Sequence, residues 1–427
     1  MAHNFGNYLV QQQELIDGRA WVQIPMEAVT IAGVDRFSWL NNITTAPMLA
    51  LRQNASDSTQ LSSAQSASET TRGAYRDTRH EGLETLILDA AGHIMFACAA
   101  ADDGERTWLL VDTGVSAALA DFLRGMQFMA RVEVEVTPIA AVGVMLPSAD
   151  LPSELIAQAA VVWEDPWPQV SAGGAHYGVP DSEHPAAPHT RTLLISELPK
   201  AAEPPEVSDL PDSEVSKRGE LHDVPSAMRE ALVATGYSEA SHAAWEALRI
   251  ADWRPRPTLE VIDTRVLPHE LDWLRTAVWL NKGCFPGQES VAKIVNMGKP
   301  PRRLAFLYAE GPEGELPAAG TKLVFLDGDS HSGSANTAES APASIAGVVT
   351  SIGRHYELGP IALAIVKRTV PGDAILEFAD NSGFIATQEL IVFPKGRSSA
   401  SPQEIPGEKL RKARAALSSE EKPERRR

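Results

Sequence analysis

The sequence predicts an α+β fold, with helices and mainly antiparallel sheets through the first 300 residues and a small antiparallel β unit after them. Three observations carry this. Strand-like and helix-like runs interleave without the long spacing of βαβ crossovers. After Pro300-Pro301 the helical periods stop, and short apolar runs separated by Gly, Pro and Asp turns suggest a barrel or sandwich. A chain of 427 residues exceeds the usual single-domain size, so two or three domains are expected.

Taken in order, residues 1–175 read as one α+β region. AWVQIPMEAVTIAGVDR gives strand-like runs, and DRFSWLNNITTAPML gives a short helix with Asp35 as N-cap and Phe37 and Leu40 on one face. Residues 53–80 are rich in Ser, Thr, Ala and Gln without a hydrophobic period, the mark of a mobile insertion. ETLILDAAGHIMFACAA (84–100) reads as a β-hairpin turning at Ala91-Gly92. TWLLVDT is a third strand, SAALADFLRGMQFM a helix, and RVEVEVT and AAVGVMLP two further strands.

Residues 176–240 form a Pro- and acid-rich excursion around the apolar island TLLISEL. The region 241–300 opens with SHAAWEALRIADW, a helix capped by Ser241. Residues 301–394 supply five barrel strands, with a second polar insert at 327–344. Residues 395–427 read as a disordered basic tail.

The formal charge is 38 − 56 = −18, which argues against direct nucleic-acid binding by counterion release. No apolar run reaches the roughly 18–20 residues that span a bilayer, and the N-terminus lacks the basic and apolar regions of a secretory signal. A cytoplasmic location with reduced thiols follows as the expectation. Two cysteines, Cys98 and Cys284, cannot supply the ligands of a zinc or iron–sulfur site, so no resident metal is expected.

NKGCFPGQE (281–289) places Cys284 in a Gly- and Pro-punctuated loop before a helix-like run, Gln288 to Val295. The helix dipole and Lys282 favour a thiolate, and Glu289 opposes it if close. Gly283 and Gly287 permit positive φ or close approach of a ligand. The residues alone leave two readings open, a reactive thiol beside a ligand pocket and a buried cysteine in a tight turn.

NKGCFPGQESVAKI resembles the signature of the YgfZ family, Lys-Gly-Cys-aromatic-x-Gly-Gln-Glu, which Lys282 through Glu289 meet at every fixed position. Leu248-Arg249-Ile250-Ala251, Val34-Asp35-Arg36-Phe37 and IAGVVTSIGR…LGPIALAIVKR fall in the family's order, so the resemblance spans roughly 20–175 and 240–395. It implies the fold of the glycine cleavage T-protein: subdomains around a central folate pocket, ending in a β-barrel. It implies tetrahydrofolate or a derivative as cofactor, and iron–sulfur client enzymes or assembly factors, including tRNA-modifying ones, as partners. Cys284 carries over as the residue the family depends on. Lys282, Gly283, Gly287, Gln288, Glu289 and Arg249 are the implied pocket neighbours.

The competing reading is a folate-dependent aminomethyltransferase, and whether the chain is itself an enzyme stays open. That chemistry needs carboxylates to manage protons at the folate. T-proteins carry acidic residues after the hairpin turn and after the Leu-Arg-Leu helix. Here Phe96, Ala97 and Ala251 occupy those places, with Asp252 one position late. Cys284 with Cys98 cannot hold a cluster alone, so transient ligation or thiol chemistry on a client is expected. A folate-sensing scaffold is a third reading.

Other signals carry less. His269-Glu270 begins like a zincin motif, but Trp273 stands where the second histidine belongs, so a surface pair is expected. Asp327-Gly-Asp329 fails calcium-loop spacing. His184 and His189 read as solvated. Trp245, Trp253, Trp273 and Trp279 read as core, with one able to stack on a pterin.

Overall fold

The computed structural model describes residues 7–51, 82–199, 222–325, 344–380 and 382–402. The insertion at 53–80, nearly all of the one at 327–344, the middle of the 176–240 excursion and the tail beyond 402 lie outside the described residues.

A helix the sequence did not announce, α1 (Tyr8–Ile16), opens the fold. Its signal is weak because it buries amides: Gln11 accepts from the Ser241 backbone N–H and hydroxyl at 2.9 and 2.7 Å, and Gln12 accepts from the Tyr356 N–H at 3.1 Å. Hydrophobic periodicity cannot register a buried polar face that is hydrogen-bonded.

β1 (Ala20–Ile24) and β2 (Met26–Ala32) then enter different sheets. In α2 (Arg36–Ile43), Phe37 and Leu40 are buried as expected, but the Asp35 carboxylate does not cap the helix; it takes three hydrogen bonds from Arg131 at 2.9 Å. The hairpin β3 (Leu83–Leu88) and β4 (Ile94–Asp102) turns through Gly92 at φ +86°, with Asp89 accepting from the Ala91 and His93 N–H groups. β5 (Arg106–Asp112), α3 (Ser116–Gly125) and β6 (Glu133–Thr137) follow. β3, β4, β5, β2 and β6, in that order, make an antiparallel sheet with α2 and α3 over one face.

The other five-stranded sheet is assembled from distant segments. β7 (Ile139–Val144), β8 (Val161–Glu164), β9 (Thr192–Glu197) and the short β10 (Ser238–Glu239) join β1 in the order β10-β1-β7-β9-β8. The apolar island TLLISEL is therefore an interior strand, β9, paired on both edges. Its flanks are not loose either. His184 is buried edge-on between Trp167 and Trp253, with 5.2 Å between centroids in each pair, and His189 pairs with Asp252 at 2.8 Å. The expectation of solvated histidines fails because tertiary contacts cover a segment whose composition is polar.

α4 (Ser226–Ala234) precedes α5 (His242–Ala251), whose Ser241 hydroxyl accepts from the Ala244 N–H as the sequence indicated. Trp245 and Leu248 of α5 pack on the β1 sheet, and Ile250 packs toward the C-terminal region. His269 and Glu270 are fully buried in a single 3-10 turn, correcting the surface-pair expectation; Glu270 pairs with Arg302 at 3.0 Å.

β11 (Arg302–Glu310), β12 (Lys322–Phe325), β13 (Ser344–His355), β14 (Gly359–Lys367), β15 (Leu376–Phe378) and β16 (Ile385–Glu389) close into a barrel, in the order β11-β14-β13-β12-β15-β16. β16, in IATQE, is a strand the sequence pattern missed. β11 and β14 are apolar on both faces. Ala305, Leu307 and Ala364 fill the barrel, and Leu304, Phe306 and Leu363 press against the rest of the chain. Burial on both faces gives a continuous apolar run in place of alternation. Residues 395–402, expected to be disordered, fold back: Ser399 donates to the His176 carbonyl at 2.8 Å and Ser401 to that of Val295 at 2.7 Å.

α6 (Gln288–Met297) begins at Gly287, φ +77°, pressed against the β3–β4 turn. A Cβ there would lie 2.5 Å from the Asp89 carbonyl oxygen and 2.8 Å from the Gly92 Cα, whereas a Cβ at Gly283 would meet nothing within 4 Å. Gly287→Ala is expected to cost about 2 kcal/mol or more in thermal or denaturant unfolding, with Gly283→Ala within about 0.5 kcal/mol of the parent. Equal costs would contradict this packing.

Candidate active site

A cavity lies where the two sheets, α5 and the Arg254–Pro257 turn converge. It encloses about 790 Å³ of empty space, part of it open to solvent. Three tryptophans face it. Trp163 on β8 donates to the Leu83 carbonyl at 3.1 Å, and its ring occupies the space a Cβ on Gly82 would need. Trp273 donates to Glu84 at 2.9 Å. Trp245 on α5 lies 5.5 Å from the Arg191 guanidinium. Indole faces offer flat, polarisable walls for a planar ligand.

Between these walls the cavity presents four carboxylates, Glu84, Asp112, Asp165 and Glu246, and four guanidinium groups, Arg191, Arg249, Arg254 and Arg256. Each carboxylate is already engaged. Arg254 holds Glu84 at 2.7 Å and Asp165 at 2.9 Å, tying the two sheets together. Arg249 holds Glu246 at 3.0 Å. Arg256 reaches Asp112 at 3.3 Å and Glu246 at 3.6 Å, and Asp112 also accepts from the Thr258 hydroxyl at 2.6 Å. Burial alone would raise the Glu246 carboxyl; Arg249 and Arg256 outweigh it and hold the group below its usual range. Burial lowers His242. At neutral pH this pair therefore holds an ionised carboxylate and a neutral imidazole. Cys98 also lines the cavity, where burial and then Glu84 push its thiol up to about 12.

Of the pocket neighbours implied by the resemblance, Arg249 lines this cavity, and Trp245 and Trp273, among the tryptophans able to stack on a pterin, line it as well. Its guanidinium also donates to the Arg254 carbonyl at 2.6 Å and the Ser351 hydroxyl at 2.7 Å, which links the cavity wall to the barrel. Lys282, Gly283, Cys284, Gly287, Gln288 and Glu289 lie together in a separate loop. Lys282 Nζ donates to the Asn41 carbonyl at 2.5 Å and to that of Thr44, at the C-terminal end of α2. Gln288 donates to the Lys282 carbonyl at 3.1 Å, Phe285 is buried, and Cys284 and Glu289 are exposed. Ala97 lines the cavity without a carboxylate, and Asp252 turns away to His189 and Arg191.

Sequence reasoning missed Glu84, Asp165, Arg254 and Arg256. One signal was available: WRPRP (253–257) sets two arginines in a proline-fixed turn at a helix end, a rigid way to aim guanidinium groups.

Comparison with solved structures places the architecture. Over 92% of this chain and 90% of the other, it superposes on the glycine cleavage system aminomethyltransferase T of Bartonella henselae with a TM-score of 0.51. The chain has the aminomethyltransferase T fold. Sequence identity in that comparison is 13%, a likeness of fold alone. A scan against protein-family profiles finds no match. Among curated proteins, one from the chloroplast of Arabidopsis thaliana, provisionally named as a transferase, is 35% identical over 85 residues; the aligned segment spans 19% of this chain and 18% of that relative. No described helix of this T-fold chain is long and apolar enough to cross a membrane.

Burial lowers Lys282 to about 8. Between that value and the ordinary lysine range near 10.5 the unfolded chain binds more protons than the folded one, so folding stability contributed by this group rises with pH across that window. Unfolding from pH 7.5 to 10.5 should show this rise in the parent and a smaller one in Lys282→Met. Identical slopes would contradict a buried ammonium.

Proposed function

We propose that the chain binds a reduced folate in the central cavity and acts as an accessory protein for iron–sulfur enzymes, in the manner of the YgfZ family. The observation that carries the folate reading is the cavity, with flat tryptophan walls and donors beside its opening. His242 and Arg256 have side chains 37% and 20% exposed, and the Arg256 ion pairs are long enough to re-form around an acidic ligand tail. When bound, the folate would supply a one-carbon carrier; the chain's residues stack on it, orient it and neutralise its charge.

Aminomethyl transfer is the second reading, favoured by the fold and by the relative provisionally named a transferase. Against it stands the state of the carboxylates. All four in the cavity are paired with arginine, and Glu246 is held ionised. A general acid needs a proton to give near neutral pH. The exposed position of Cys284, off the cavity wall, supports a role toward a partner protein in preference to contact with the folate.

Tetrahydrofolate at one hundred times its dissociation constant should stabilise the fold by about 2.7 kcal/mol through mass action, seen as a rise in melting temperature. Arg256→Ala should weaken binding about tenfold, as loss of a charged hydrogen bond does. No shift at saturating ligand would remove the folate reading.

In cells lacking the protein, Cys284→Ser should fail to restore the activity of a four-iron radical enzyme, and the purified chain should show no aminomethyl transfer to or from a lipoyl carrier. Full restoration would remove the accessory role; turnover would put the transferase reading first.

A further inference from the structure

Three large apolar side chains stand in solvent on two neighbouring loops: Val34 at 73% exposure, Phe128 at 86% and Met129 at 96%. The loops are fastened to each other. Arg131 clamps Asp35 through three hydrogen bonds of 2.9 Å, and the chain at Gly33 runs so close to the Arg131 carbonyl that a Cβ would lie 2.2 Å from it. Trp39 donates to the Met126 carbonyl at 3.1 Å, and Gln127 to that of Val132 at 2.5 Å. Phe128 is held at φ +43°, a conformation unfavourable for a bulky residue. A rigid, strained turn that presents Phe and Met to water has no folding rationale, and aromatic and Met side chains are enriched where proteins meet.

The surrounding charges narrow the occupant. Cations of the two loops and their flanking helices are neutralised, Arg131 by Asp35 at 2.9 Å, Arg124 by Asp121 at 3.1 Å and Arg36 by Asp102 at 3.1 Å, while Glu133 is exposed without an ion pair among the described residues. Together with a formal charge of −18, this disfavours an anionic bilayer and a second copy of the chain. It favours a protein with an apolar pocket and a basic rim.

α2 connects this tip to Cys284. Its N-terminal end carries the Asp35–Arg131 clamp, its C-terminal carbonyls receive Lys282, and Ser38 and Asn42 between them are exposed. Eight residues at 1.5 Å each span about 12 Å, well within an ordinary interface of about 800 Å² per partner. We propose that Val34, Phe128 and Met129 form the anchor of a docking surface for a partner protein with an apolar, basic-rimmed pocket, and that this partner reaches Cys284 across the exposed face of α2. The proposal rests on the accessory reading of Cys284.

Phe128→Ser/Met129→Ser in the full chain should keep tetrahydrofolate binding and melting temperature, yet lower restoration of the four-iron enzyme about tenfold or more, as loss of interface anchors does. Phe128→Leu/Met129→Leu should retain most of it. Full restoration by the serine variant, while Cys284→Ser fails, overturns the docking surface alone; full restoration by both removes the accessory reading with it. A photoreactive residue at 128 checks the same point without relying on the serine variant's fold. It should trap the same protein that a thiol-directed trap captures at Cys284. Trapping another copy of the chain, lipid or a different protein at 128 overturns the proposal.

Discussion

Arg254 is the interaction on which the central architecture turns. The residue is buried, and its guanidinium spans Glu84 on β3 and Asp165 just after β8, so one side chain joins the two five-stranded sheets at the wall of the cavity. Glu84 is further held by Trp273 and the Thr276 hydroxyl, and Asp165 accepts from the Trp167 N–H at 3.1 Å. Burying three charges is costly, and the cost is offset only when the geometry and hydrogen bonds are nearly complete. Removal of the arginine would leave two carboxylates stranded, a loss of about 3–5 kcal/mol by the usual measure for a broken buried pair. The network thus fixes the spacing of the sheets and with it the distance between the tryptophan walls.

A second lock sets the barrel. Glu260, fully buried, accepts from the hydroxyls of Thr350 at 2.8 Å and Ser351 at 2.5 Å, at the register shift in β13, and from the Arg256 N–H at 2.6 Å. Arg249 bridges the same place through Ser351. Gly353 allows β13 to approach α5, where a Cβ would come within 3.1 Å of the Ala247 Cα. The arginine that the sequence marked as a ligand contact is thereby committed to several protein partners. Its influence on a bound molecule runs through the position of Glu246 and the Arg254–Arg256 turn.

Legibility followed the physics of each element. Strands with clean apolar runs, such as TLLISE and IALAIVK, and the capped helix after Ser241 were visible because burial and capping leave local marks. α1 was not, because its buried face is made of glutamines satisfied by residues more than 200 positions away. His184 and His269 were misread as surface because local polarity says nothing of the tryptophan, tyrosine and backbone contacts that enclose them. The cavity's charged half was illegible for the same reason: Glu84, Asp165 and Arg254 are far apart in sequence, and only the folded sheets make them one group.

The loop around Cys284 shows how a sequence signature can combine structure and function. Lys282 caps α2, Phe285 enters the core, and Gly287 lets α6 start against the β3–β4 turn. Gln288 closes the loop on the Lys282 carbonyl. Those four positions have work in the fold itself. Cys284 and Glu289 do not: both are exposed, and Cys284 has lost the apolar cover that would make it a packing residue. An exposed thiol on a loop pinned at both ends is held still relative to its surroundings, because Lys282 and Gly287 fix the backbone on either side. The structural part of the motif therefore serves to present the Cys284 thiol at the surface.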